Sequence, residues 1–171
     1  MGDAVLLDSG PLGKMVHQQS TFEDEIQALE SYAKNKGISL LVPEIIEREL
    51  SGELSRCGFI KSLRKLNKMR NQGRIINLIE PDDYDIATIL ETELALTGSP
   101  ISINIPSNDG ILVAQAIHLK ASQQYNRVII LTENVRHISK LLTKEIYIWD
   151  YKQAISDCDE NSEMNLIPPI K

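Results

Sequence analysis

Asp8, Glu49 and Asp109 are the residues of this 171-residue chain whose types and positions suit chemistry. Asp8 directly follows the apolar run Val5-Leu6-Leu7, Asp109 opens a long apolar segment, and Thr132-Glu133-Asn134 follows the run 128–131. Glu49 is the informative one. On a helix of about 100° per residue it falls within the arc of Ile45, Ile46, Leu50 and Leu54, whereas Glu44 and Glu47 fall outside it. A carboxylate on a core-facing arc is costly unless it is paired, hydrogen-bonded or metal-bound. Glu53 shares the arc near the helix end and is a weaker second candidate. Plainer roles stay open for each: a turn or cap for Asp8, a helix-dipole residue for Asp109, an arginine partner for Glu49. Taken together, three carboxylates at one end of one sheet, with no basic cluster nearby in sequence, call for a cation. Oxygen-only ligands select Mg2+ or Mn2+ over Zn2+.

The elements that must position these residues alternate along the chain. Short apolar runs at 4–7, 38–42, 128–131 and 146–149 read as strands, and helical periods cover 21–34, 43–54, 58–70, 83–96 and 108–122. Thr21 with Asp24 three residues on forms a capping pattern, Asn35-Lys36-Gly37 is a stop signal, and Pro43 suits a first helical position. Strands that are apolar throughout and separated by helices imply a parallel sheet covered on both faces, hence a three-layer α/β architecture. In such a sheet, functional groups gather at the C-terminal ends of the strands. The expected organisation is one domain over 1–156 and a polar tail over 157–171. That tail ends in Leu166-Ile167-Pro168-Pro169 and is either docked on a partner or loose.

Composition narrows the field. Hydrophobic residues at 42% and charged residues at 25% are globular values, which exclude a disordered chain or a fibre. The apolar runs are too short to cross a membrane, and MGDAVLLDSG lacks the basic start and apolar core of a secretory signal. Cys57 and Cys158 read as two reduced thiols, so a cytoplasmic location is expected. A net charge of −6 argues against wholesale coating of nucleic acid or an anionic membrane. The charge is unevenly spread, however. Residues 55–79 contain no acid and hold Arg56, Lys61, Arg64, Lys65, Lys68, Arg70 and Arg74. On one helix there, Lys61, Arg64, Lys65 and Lys68 form a basic stripe opposite an apolar face of Phe59, Leu63 and Leu66, an expected RNA-binding surface. Phosphate-loop, dinucleotide and HExxH motifs are absent from the sequence. His118 reads as a core histidine, and His137, beside Arg136, as a surface residue or a phosphate contact. Ser9 has no histidine base, and Asp8 lacks the second acid or late lysine of phosphotransfer folds.

Four segments, VLLDSGPL, VPEIIEREL, SNDGILVAQA and IILTENVRHIS, resemble the four motif blocks of PIN-domain ribonucleases, in order, over about Ala4 to Trp149. Sequences of this kind resemble the VapC-type toxins of type II toxin–antitoxin pairs. The resemblance implies a PIN-like fold with a central parallel sheet of about five strands, and an Mg2+- or Mn2+-dependent endoribonuclease. Asp8, Glu49 and Asp109 would be the catalytic metal ligands, and Ser9 and Thr132 would contact substrate. Asn134 stands where the family often has a fourth acid. The resemblance further implies metal-activated water attacking in line, leaving a 5′-phosphate and a 3′-hydroxyl, with RNA, a cognate antitoxin and a second copy of the chain as partners. Two alternatives share these residues: a housekeeping PIN nuclease in RNA maturation, and a catalytically inactive PIN-like module that binds RNA or protein. The departure at Asn134 supports the latter.

Overall fold

A computed structural model describes residues 1–73, 75–76, 85–89, 107–142 and 145–169 of the chain. The elements are β1 (Ala4–Leu7), α1 (Ser9–Met15), a 3-10 turn (Ser20–Phe22), α2 (Glu23–Lys36), β2 (Ser39–Pro43), α3 (Glu44–Arg56), α4 (Ile60–Asn71), β3 (Ile75–Ile76), α5 (helical over 85–89), α6 (Asn108–Ala121), β4 (Val128–Thr132), α7 (Val135–Leu141), β5 (Ile146–Asp150) and α8 (Tyr151–Asp159). The strands lie in the order β3-β2-β1-β4-β5, and every pairing is parallel. Every residue of β1 and β4 is buried. Side chains alternate between the two faces of a strand, so burial of all of them means that helices cover both faces, as the apolar runs imply.

The strands of the sheet are unequal. Four strands of four or five residues carry the sheet, and the fifth, β3, is a two-residue edge strip pairing Ile75 with Val42 and Ile76 with Pro43. Pro43 lacks the N–H that a longer ladder needs, and it ends β2 rather than opening the helix. The capping pattern at Thr21 also fails. Residues 20–22 form a 3-10 turn, and Phe22 precedes α2 without a side-chain cap. Glu23, Asp24 and Glu25 in its first turn complement the exposed N–H groups instead. At the other end Gly37, with φ 67°, closes α2 in the left-handed region, as the stop signal implies. Gly58, with φ 70°, turns the chain between α3 and α4, so α4 starts at Ile60. The helix expected over 83–96 is helical at 85–89, and the rest of it lies outside the described residues.

The supposed tail is part of the body. The boundary drawn at 156/157 cuts α8, and Asp157 is 1% exposed. Beyond α8 the chain folds back along β5, where Ile148 and Ile167 exchange backbone hydrogen bonds of 3.1 and 2.8 Å in an antiparallel bridge. Tyr32 Oη of α2 donates to the Ser162 carbonyl at 2.7 Å and pins the same segment. Among the described residues, no helix is long and apolar enough to cross a membrane.

Candidate functional site

The chain leaves β1 for β2 on one side and returns to β4 on the other, so a crevice opens at the C-terminal ends of β1 and β4. This is the place where open parallel sheets bind their ligands. Asp8 stands at its floor, 6% exposed. Its Oδ1 accepts from the Ser9 N–H at 2.7 Å, which caps α1, and its Oδ2 accepts from Thr132 Oγ1 at 2.6 Å. The cap role left open in the sequence is therefore real, and it coexists with a position in the crevice. Thr132, fully buried at the end of β4, also accepts from the Asn134 N–H through Oγ1 at 2.8 Å. One hydroxyl thus ties the two strand ends to the start of α7.

Glu49 reaches the crevice from α3, half-buried, and Asp109 from the first turn of α6. Burial pushes the Glu49 carboxyl above its ordinary range, and the charges of Glu53, Asp8 and Asp109 add to this. A hydrogen bond from the Asn108 side chain opposes them. That pattern places Asp8, Asp109 and Glu53 within electrostatic reach of Glu49. His137 is exposed, as expected, and its Nε2 lies 3.4 Å from Asp109 Oδ2, so this surface histidine also borders the acids.

Charge and donor type suit a hard divalent cation, since the neighbouring charges that act on Glu49 are those of Glu53, Asp8 and Asp109. The spacing corrects the expectation of a ready cluster. Among the described residues, no three His, Cys, Asp or Glu side chains are gathered closely enough to hold a metal. Asp8 is committed to Ser9 and Thr132, and Asp109 faces His137, which keeps the carboxylates apart.

After Thr132 it is the carboxylate of Glu133, rather than the amide of Asn134, that is engaged. It pairs with Lys14 Nζ at 2.6 Å, and its Oε2 lies 2.6 Å from where a Cβ on Gly10 would stand. A Cβ there would make the Glu133 carboxylate shift. Lys14 in turn sits over the rings of Phe22 and Tyr151, 5.1 and 4.8 Å from their centroids. Asn134 contributes its backbone to the turn and makes no side-chain cap.

Lys61, Arg64, Lys65 and Lys68 all lie exposed on α4. Lys65 Nζ donates to the His17 carbonyl at 2.6 Å, so it also fastens α4 to the α1–α2 connection. The opposite face differs from the expected one: Ser62, Leu66 and Met69 are buried, and Phe59 is 41% exposed. Glu47, placed outside the apolar arc by the wheel, is buried and paired with Arg70 of α4, because α4 packs across that side of α3. Sequence reasoning missed Asn108, Lys14 and Gly10. Asn108 carried the single signal of standing beside Asp109; the others depend on contacts between distant segments.

No family model matches the chain, and no curated protein matches it. Among solved structures it is similar to VapBC2 from Rickettsia felis bound to a DNA fragment from their promoter, with TM-score 0.56 and 20% identity over 86% of this chain and 99% of that chain. It is also similar to FitAcB from Neisseria gonorrhoeae, with TM-score 0.56 and 16% identity over 86% of this chain and 98% of that one. At such identities the likeness carries the fold alone. These findings overturn the identification as a PIN-domain ribonuclease of the VapC toxin type, which is withdrawn. The four blocks find no family model, and the neighbours are complexes of toxin–antitoxin pairs, antitoxin included and one of them on DNA, so they single out no nuclease. The PIN-like label for the fold goes with it, and what stands is an α/β domain with a parallel sheet.

Proposed function

We propose that the chain is a component of a toxin–antitoxin pair, and that its acidic crevice hydrolyses phosphodiester bonds of RNA with a divalent cation, Mg2+ or Mn2+. The likeness to VapBC2 and FitAcB supports the first part. The second rests on one observation: a buried aspartate at the sheet's switch point that, with Asp109, lies within electrostatic reach of the partly buried Glu49. Asp8, Glu49 and Asp109 would supply the charge for the ion, but only after Asp8 and Asp109 turn from Thr132 and His137, since the three side chains are not gathered closely enough here to hold it. When bound, it would lower the pKa of a water and neutralise charge on the phosphate. The chain's own residues do the positioning. Thr132 and the Ser9 N–H aim the two oxygens of Asp8, and Asn108 holds Glu49 against its three acidic neighbours. Ser9 borders the substrate, Thr132, fully buried, acts only by aiming Asp8, Asn134 stands at the rim, and Lys61, Arg64 and Lys68 offer cations to the RNA backbone. A cognate partner protein and a second copy of the chain complete the assembly in the cytoplasm.

The test is cleavage of a mixed cellular RNA with Mg2+ and with EDTA. Activity should vanish in EDTA, and Asp8→Asn, Glu49→Gln and Asp109→Asn should each lower it at least about a hundredfold. Wild-type turnover in any two purified variants would remove the assignment. The promoter DNA bound by the VapBC2 complex favours a second reading, a DNA-binding role in the same kind of pair. Retention of the DNA upstream of its own gene by the isolated chain, without RNA cleavage, would establish that reading over the first.

A further inference from the structure

A groove of about 390 Å3 begins at Ser9 and Gly10, the two residues after Asp8, and runs between α1 and the α3–α4 corner. Its sides carry three rings. His17 and Phe22 stand edge to face, with centroids 5.4 Å apart and planes at 87°, and Phe59, 41% exposed, lines the same groove. Gln18 adds an amide, with both a donor and an acceptor, to the same wall. The α1 side is roomy beside Gly13, where an added Cβ would meet nothing closer than Leu50 Cδ1 at 3.8 Å.

We propose that this groove is a subsite for one base of single-stranded RNA, next to the phosphate that the acidic crevice would take. The inference deepens the ribonuclease reading and rests on it. Flat rings beside an amide are what an unstacked base requires, since the rings take its face and the amide its edge. The volume accommodates one nucleoside. Phe59 immediately precedes α4, whose exposed Lys61 and Arg64 make no ion pair among the described residues, so a strand leaving the groove meets cations at once. A polynucleotide satisfies the rings and the cations together, whereas an apolar peptide would leave the cations without counter-charge. In a chain of net charge −6, that local pairing of aromatic groove and basic helix is what selects nucleic acid.

The experiment follows binding of a fluorescent single-stranded pentaribonucleotide in EDTA, where cleavage is silent, to wild type, Phe59→Ala and Phe59→Tyr. Phe59→Ala should weaken binding about tenfold, within the range for losing one stacked base, and Phe59→Tyr should restore it. An abasic residue at the position the groove holds should weaken wild-type binding as much, and should add no further loss in Phe59→Ala. A wild type that cleaves RNA in Mg2+ yet binds the probe no better than Phe59→Ala overturns the subsite alone, and leaves the groove to a protein segment. A wild type that neither cleaves nor binds overturns the ribonuclease reading as well.

Discussion

Glu49 shows what a single residue carries in this crevice. Desolvation, then the charges of Glu53, Asp8 and Asp109, hold its carboxyl above the ordinary range, against the hydrogen bond from Asn108. A group whose pKa is raised by folding stabilises the fold in its protonated form. That stability is complete below the unfolded value, about 4.3 for glutamate, and is lost as pH rises through the folded value. At pH near 8, ionised Glu49 therefore costs stability. Glu49→Gln removes the charge and keeps an oxygen to accept from Asn108. In EDTA its melting temperature should exceed that of wild type at pH near 8, with the gap closing as pH falls toward about 4. Added Mg2+ should shrink the gap, because only the wild type offers the third charge. A variant melting at or below wild type at pH near 8 would mean that the carboxylate is already compensated in the fold.

At the scale of an element, α4 divides its cations between two tasks. Lys65 ties the helix to the His17 carbonyl and Arg70 ties it to buried Glu47, while Lys61, Arg64 and Lys68 make no ion pair among the described residues. Each phosphate contact to a single strand contributes roughly 0.7 to the slope of log affinity against log salt. Changing Lys61, Arg64 and Lys68 together to Gln should thus flatten that slope by about 2 across a salt titration. Lys65→Gln alone should change it by well under the roughly 0.7 of one contact and act mainly on the melting temperature. An unaltered slope in the triple variant would place the RNA path away from α4.

Across the whole molecule, the C-terminal segment closes the outer edge of β5, and Asp157 is its clasp. The carboxylate accepts from Trp149 Nε1 at 2.8 Å, Gln153 Nε2 at 2.9 Å, and the backbone and side chain of Asn165 at 2.8 and 2.6 Å. Burial acts to raise its pKa, but the hydrogen bonds from Asn165, Gln153 and Trp149 outweigh it and hold the carboxyl below the usual range. The sign is then opposite to that of Glu49. The stability is present above the unfolded value and is lost as pH falls through the folded one. Asp157→Ala strands buried donors and frees the segment that shields a strand edge. It should cost about 3 kcal/mol in urea denaturation, and the loss should narrow under acid. A loss below about 1 kcal/mol would show that water replaces the carboxylate without penalty.

The alternation of strands and helices, and the two-sided burial of β1 and β4, were legible in the sequence because local periodicity and apolar runs are properties of neighbouring residues. Asp8 and Asp109 were legible for a related reason: an acid at the end of an apolar run needs no distant partner to be noticed. Glu49 was found from its wheel, and the same wheel misjudged Glu47, since a wheel describes one helix and Arg70 arrives from another, 23 residues on. The tertiary structure alone decided that Thr132 would aim Asp8, that Glu133 would turn to Lys14 over Gly10, and that Phe59 would stay exposed beside the crevice. It also drew the polar C-terminus into the body, through one buried carboxylate that receives donors from β5, α8 and the segment itself. Each of these is a contact between segments far apart in sequence, and such contacts exist only once packing has chosen which faces meet.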